Sequence, residues 1–571
     1  MPRALALLVA LVAGAAIAAL AIRPPAPLAA AAPAAAFSAG RAMADIRRIA
    51  AAPHPTGTAE DAAVRAYLAD RLRGLGLSVT VQSAALTAKG RLRLARWGLA
   101  SASAAPADVV GVLAGADRSQ PAVLLMAHHD TVAGSPGAAD DSAGVAAILE
   151  TVRALRAGPP PLRDLVVVFT DAEELDSSGA AAFFAANPLA RRVGAVVNLD
   201  TRGGGGRALM FETGPGDGPM MRLFAPAVRQ PTAESAAVLA YRLLPNTTDF
   251  TVARRRGLAG FNFAFLGRPA LYHAPQATPD AIDPGAVQHM GSQTLDLARA
   301  LLTAPGLPGR GPDAVFADLF GGPLILYPAW GGWVVLGIAG ALFAAAAMRS
   351  YPLDRREVLR GSAEAVGLVL VLAGLLQLAN AVSGAGPHAN YFGRLAEIPR
   401  LETQAALLSL AGLALVGVRG LGRAPLARWL GFAAPVFLAA VWVQVFAPGA
   451  APVLAWPLLV TAGAAAGASA LDPALARIWS LAIVAAAAAC GVGWTLSLAH
   501  LAFLAVGPDL PGAMSVFALL VAMMARPLLG GPPRLLLLAA AAVLGIAGFG
   551  LATAVRGEPP PPTIPIYARD L

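Results

Sequence analysis

The stretch LLMAHHDTVAGSPGAADDSAGVAAILE, residues 124–150, places His128, Asp130 and Asp140 within thirteen residues of a 571-residue chain that is only 13% charged. Three further runs end in the same kinds of side chain. DLVVVFTDAEEL closes on Asp171, Glu173 and Glu174, GAVVNLD closes on Asp200, and FNFAFLGRPALYH leads to Tyr272 and His273. Imidazoles and carboxylates are the ligands that zinc takes, and two histidines with three carboxylates suit two zinc ions sharing one bridging carboxylate, each keeping an open position. Paired metals clamp attacking and leaving oxygens and lower the pKa of water. A carboxylate left over can serve as general base.

The elements that must position these groups are legible in the hydropathy pattern. Short apolar runs at 108–113, 123–127, 165–169, 194–199 and 259–266 alternate with helical patterns such as 59–76, which begins after Thr58 as a cap. Strands alternating with helices predict an α/β domain over residues 36–306, a mostly parallel central sheet flanked by helices. In such sheets, ligands gather at the carboxyl ends of the strands. The candidate ligands stand at four successive strand exits, with Asp140 in the loop after the first.

The rest of the chain has another texture. Hydrophobic residues make up 57% of the sequence, and ordinary soluble domains carry about twice the charge seen here. Residues 4–22 are long enough to span a bilayer and are read as a signal anchor, with a linker to residue 35. A linker is expected at 307–323, an all-α multi-span domain of about eight helices at 324–556, and a tail at 557–571. The eight apolar runs are 324–348, 363–383, 404–418, 429–447, 452–471, 478–506, 510–525 and 535–555, with 404–418 and 510–525 the weakest. Placing residues 36–305 outside puts Arg349, Arg355, Arg356, Arg360, Arg419, Arg423, Arg428, Arg477, Arg526 and Arg534 in inside loops. Only Arg394 and Arg400 fall in outside loops of the membrane region. Ten against two agrees with the positive-inside rule. The formal charge of +9 therefore reports membrane topology; no basic helix or aromatic-basic interleaving points to nucleic acid. Lys89 is the one lysine, and with the alanine and arginine richness it suggests a high-GC bacterial source, hence an inner membrane with the α/β domain in the periplasm. Cys490 is the one cysteine, so no intramolecular disulfide forms.

The ordered set of His-x-Asp, Gly-Ala-x-Asp-Asp, Glu-Glu, a later acidic residue and Tyr-His resembles the co-catalytic zinc metallopeptidase family numbered 28. Joined to many spans, it is similar to the endoplasmic-reticulum and vacuolar membrane metallopeptidases. The resemblance covers roughly residues 45–300. It implies that His128 and Asp200 hold one zinc, that Glu174 and His273 hold the other, and that Asp140 bridges them. It further implies that Glu173 is the general base, that Asp130 orients His128, that the Asp140–Asp141 peptide is cis, and that Tyr272 stabilises the tetrahedral intermediate. The family often has an aspartate where Ala277 stands, so Asp280 or Asp283 is expected to support His273 instead.

Several groups are read as structural: the lone histidines His54, His289, His388 and His500; His129, which flanks the site; Asp171, a capping or loop carboxylate; and the glycines 203–206, a turn without a phosphate-binding pattern around it. The spans hold few ionisable residues, Glu364 at an edge and His500 inside, which favours anchoring over transport. The expectation is a membrane-anchored di-zinc exopeptidase, an aminopeptidase acting on peptides. The alternatives are a same-fold amide hydrolase or cyclase on a non-peptide substrate, and a catalytically inactive outer domain of a transporter or assembly factor.

Overall fold

The computed structural model describes residues 2–83, 85–99, 105–420, 422–471, 473–529 and 533–557. The tail expected at 557–571 lies, beyond Gly557, outside the described residues. Two compact units emerge: an α/β unit of residues 23–326 with Asn390–Ala396, and a helical unit that holds residues 2–22, 327–389 and 397–557.

The α/β unit is built on seven strands: β1 (Ser78–Ser83), β2 (Ala107–Leu113), β3 (Ala122–His128), β4 (Leu165–Thr170), β5 (Val193–Leu199), β6 (Gly205–Thr213) and β7 (Ala259–Gly267). Their order across the sheet is β1-β2-β4-β3-β5-β7-β6. The inner four, β4, β3, β5 and β7, are parallel, while β1, β2 and β6 join antiparallel. Every residue of β3 and β4 is buried, which is why both read as unbroken apolar runs instead of alternating. Successive side chains still part to opposite faces. Leu125, Val167 and Val197 enter one core with the helices Ala39–Ile49, Ser142–Arg156 and Pro284–Thr303. Leu124, Val166 and Val196 enter the other, with Phe183 from Ser178–Ala186 and Phe250 from Asp249–Arg255. Each core residue of the inner strands removes apolar surface worth about 1.5–3 kcal/mol, so the sheet fixes where its strand ends stand.

The stretch expected as a linker is partly ordered into the α/β unit. Strand β8 (Ala314–Asp318) pairs with β9 (Leu324–Pro328), and Phe316 is buried in the main core. The apolar run expected as a span from residue 324 accordingly starts as a strand, and its helix begins only at Gly331. Apolarity alone did not separate a short strand from the helix that follows it.

Among the described residues of the helical unit, eight helices are long and apolar enough to cross a bilayer, the N-terminal one included. The run expected at 404–418 is the 21-residue helix Ile398–Val418. The run at 510–525 yields only a 12-residue helix, Met514–Ala525, ten of whose residues are buried. A helix wrapped by protein need not match the lipid thickness itself. Its flanks are held at both ends of the helix Arg355–Val382: Asn380 Nδ2 donates to the Pro508 carbonyl at 3.1 Å, and Arg526 Nη2 donates to Glu364 Oε2 at 2.7 Å. Glu364 and Asn380 are sixteen residues apart (380 − 364), or about 24 Å of helix, so this segment runs most of that length.

Glu364 is therefore not a stray charge at an edge. It is buried against Arg428 and Arg526, and Glu357 Oε2 lies 3.3 Å from Arg428 Nη1. Removing Glu364 leaves Arg526 buried without a carboxylate and Arg428 with Glu357 alone, which costs about 3–5 kcal/mol. Glu364→Gln is expected to lower the thermal midpoint of the purified chain in detergent by several degrees; an unchanged midpoint would show that water reaches the cluster.

Candidate metal centre

Four parallel strands deliver their last residues to one end of the sheet. At the end of β3, His128 Nδ1 lies 3.0 Å from the Asp130 main-chain oxygen. An N–H there fixes the tautomer and leaves Nε2 to face inward. The Asp130 carboxylate, expected to orient His128, stands 3.5 Å from the same Nδ1. It also accepts from the Glu173 and Glu174 amides at 3.0 and 3.3 Å. One residue thus ties the exit of β3 to the exit of β4.

The loop after β3 turns tightly at Gly137, whose φ is +65° and where a Cβ would lie 2.3 Å from Thr131 Cγ2. Asp140 follows, and the Asp140–Asp141 peptide is cis, as expected. Asp141 caps the helix Ser142–Arg156 by accepting from the Gly144 amide at 3.1 Å. A Cβ on Gly144 would stand 2.4 Å from that same carboxylate. Gly144→Ala is expected to displace the cap, lowering stability by about 1–2 kcal/mol and metal affinity with it; denaturant midpoint and zinc titration read the two, and an unchanged affinity would uncouple cap from site.

Beyond β4 the chain takes the left-handed region at Ala172, Asp176 and Ser177, with φ of 58°, 70° and 48°. None is glycine, and such positions cluster where a site dictates the backbone. This turn carries Glu173 and Glu174. Asp200 follows β5 directly, its amide donating to the Phe263 carbonyl at 3.0 Å. After β7 a 3-10 turn at Pro269–Leu271 leads to Tyr272 and to His273, which has a φ of 49°.

These exits bring together every expected ligand. His128 Nε2 is 3.0 Å from Asp140 Oδ1, and His273 Nε2 is 3.1 Å from Asp140 Oδ2 and 2.9 Å from Glu174 Oε1. Two donor groups result, His128–Asp140–Asp200 and Asp140–Glu174–His273, each with ligand atoms within 4.8 Å of one another, and Asp140 belongs to both. A third group is His128–Glu173–Glu174. Burial, and then the nearby Asp200, push the Glu173 carboxyl well above its usual range. Asp200 is raised likewise, by burial, with Asp140 and Glu174 adding to it. Crowded carboxylates, buried at Asp140 and Glu174 and half-buried at Glu173 and Asp200, beside two imidazoles are the environment that divalent cations relieve, so the donor set fits zinc.

Asp283, considered as a support for His273, is engaged elsewhere: it caps Pro284–Thr303, accepting from the Gly285 amide at 2.8 Å. Ala277 is buried, and its carbonyl accepts from the Ala138 amide at 3.0 Å, so it braces the Asp140 loop. The Tyr272 ring stacks on that of His273, 3.9 Å away at 22°.

His129 and Asp171 belong to a separate buried group with Asp61. His129 Nδ1 is 3.2 Å from Asp61 Oδ1, while Arg65 lies 2.9 Å from Asp61 and 3.6 Å from Asp171. A guanidinium already balances these carboxylates, so the group is an ion-pair network behind the centre. Of the other buried histidines, His289 is structural: it accepts from the Ala208 amide, and its second nitrogen lies 2.9 Å from the Gln230 carbonyl.

Sequence reasoning missed two neighbours of the centre. Tyr241, in the last turn of the helix Ser235–Leu243, packs edge-on against Phe211 and is pushed up by burial and by Glu212, Asp200 and Glu173. Phe392 lies 5.5 Å from the His273 ring, at 29°. A lone tyrosine in an apolar helix and a phenylalanine over a hundred residues from the nearest ligand carry no local signal.

Residues 108–298 match the sequence profile of Peptidase family M28. The chain resembles the metallopeptidases of that family. Endoplasmic reticulum metallopeptidase 1 of Mus musculus is 32% identical over 236 residues, 40% of this chain and 26% of that protein. The vacuolar membrane protease of Yarrowia lipolytica is 33% identical over 215 residues, 37% of this chain and 21% of that protein. The chain thus spans about a quarter of the length of the curated relatives it matches. The aminopeptidase from Aneurinibacillus sp. strain AM-1 superposes with a TM-score of 0.38 at 15% identity, over 48% of this chain and 97% of that one.

Proposed function

We propose that the chain is a membrane-anchored di-zinc exopeptidase, an aminopeptidase that hydrolyses peptide bonds. The observation that carries the reading is the pair of donor groups sharing Asp140, with Glu173 beside them. His128 and Asp200 would hold one zinc, Glu174 and His273 the second, and Asp140 both. Bound zinc would supply Lewis-acid polarisation of the scissile carbonyl and make water acidic enough to deprotonate near neutrality. Glu173 takes a proton from water as its oxygen adds to the carbonyl carbon. It returns that proton to the amine nitrogen as the carbon–nitrogen bond breaks. Asp130 keeps the Glu173–Glu174 turn in register with His128, and Tyr272 donates a hydrogen bond to the oxygen that gains charge.

The α/β unit is assigned to the face opposite the arginine-rich loops, which in a bacterial inner membrane is the periplasmic face. The ten-to-two partition supports this, with the short helix Met514–Ala525 counted as a crossing. That Arg526 donates to the Gly420 carbonyl at 3.0 Å, beside the loop that carries Arg419, favours the count.

The test is zinc content and hydrolysis by the full chain in detergent, with leucyl-p-nitroanilide beside its N-acetylated form. The expected result is about two zinc per chain and cleavage of the free-amine substrate alone. Cleavage of both would replace the aminopeptidase with a broader amidase; a folded chain without zinc or turnover would remove the enzyme reading.

A further inference from the structure

The α/β unit contains a piece of chain that is remote in sequence. Asn390–Ala396 lies between the helices Arg355–Val382 and Ile398–Val418, yet it belongs with residues 23–326. Its short helix Tyr391–Ala396 packs on the 3-10 turn Pro269–Leu271, immediately before Tyr272 and His273. Gly393 and Leu395 are buried there, while Tyr391 and Phe392 are only partly so. Phe392 stands 5.5 Å from the His273 ring and 6.0 Å from that of Tyr272, and Tyr391 meets it edge-on at 5.4 Å. The Arg202 guanidinium sits 5.7 Å from the ring centres of both Tyr272 and Tyr391 and donates to the Tyr391 hydroxyl. Arg202 follows Asp200 by two residues, so one end of this stack is fixed by the end of β5 and the other by His273.

The result is an aromatic wall beside one donor group of the centre. Carboxylates and imidazoles dominate the rest of the cluster, and they offer no surface to an apolar side chain. A peptide whose carbonyl stands at the centre presents its neighbouring side chain a few ångströms away. We propose that Phe392, held by Tyr391 and Arg202, is a specificity-determining residue: it forms the surface that accepts an apolar or aromatic side chain next to the scissile bond. The Arg202 guanidinium lies against both tyrosine rings, so the face that Phe392 offers is aromatic. This assignment rests on the peptidase reading.

The test uses the zinc-loaded full chain in detergent with leucyl-, phenylalanyl-, alanyl- and glutamyl-p-nitroanilide, comparing wild type, Phe392→Ala and Phe392→Leu. The wild type is expected to favour leucine and phenylalanine over alanine and glutamate by about 10-fold or more in kcat/KM, the scale on which apolar pockets discriminate. In Phe392→Ala the leucine-to-alanine ratio should fall about 10-fold, chiefly through KM, with zinc content unchanged. Phe392→Leu, the milder change, should recover most of the ratio for leucine. A fall by one common factor for all four substrates, a loss of zinc, or a wild type that prefers glutamate overturns the assignment while leaving the peptidase standing. A wild type that cleaves none of the four removes the peptidase reading and this assignment with it.

Discussion

Replacing Glu173 with glutamine is expected to lower kcat for an aminoacyl-anilide by about 10³–10⁴-fold, the upper part of the range for general acid–base catalysis. The effect is large because one side chain serves two proton transfers, and glutamine can perform neither. Glu173 stands outside the two donor groups that share Asp140, so zinc content should stay at about two per chain. Metal analysis and steady-state kinetics on the same preparation separate the roles. If Glu173→Gln loses an ion together with its activity, the third group, His128–Glu173–Glu174, would be the one that binds. Glu173 would then be a ligand and the base would have to be sought elsewhere.

Asp140→Asn should act on the metals first. The two imidazoles approach opposite oxygens of Asp140, at 3.0 and 3.1 Å. An asparagine offers one neutral oxygen and turns an NH2 toward the other histidine. Both donor groups are damaged by a single change of nearly the same shape. The loss of zinc affinity should exceed the ~10–100-fold typical of disturbing a residue that merely supports a ligand. Zinc titration against a competing chelator reads it, and hydrolysis should fall below detection at trace zinc. Retention of two ions at wild-type affinity would mean that Asp140 does not bridge. Against burial, which pushes it up, the His128 and His273 imidazoles hold the Asp140 carboxyl below its usual range.

The parts of this centre that were readable in the sequence share a cause. Strands β3, β4, β5 and β7 are buried on both faces, so they appear as apolar runs, and their carboxyl ends are where polar residues first reappear. His128, Glu174, Asp200 and His273 stand at or just beyond those ends, and the loop holding Asp140 is short. The edge strands were not readable. Most of β1 is exposed, so its sequence SVTVQS lacks a strong pattern, and β6 opens on glycines that look like a turn. Partnerships across long separations were also hidden. The Glu364 cluster draws Arg428 from 64 residues away and Arg526 from 162, and each appeared as an isolated charge near the end of a span. The role of Asp130 was half visible: its place beside His128 could be read, but not that its carboxylate would serve the Glu173–Glu174 amides, because that depends on how β3 and β4 align.

The position of Phe392 in the chain also sets an order of events during synthesis. Residues 23–326 hold all five candidate ligands and leave the ribosome first, and domains generally fold as they emerge. The aromatic wall cannot exist until residue 396 has been made, after the helices Gly331–Arg349 and Arg355–Val382 have also been translated. A nascent chain could therefore load metal while still unable to grip an apolar side chain. Selectivity would mature only when the chain is already committed to the bilayer.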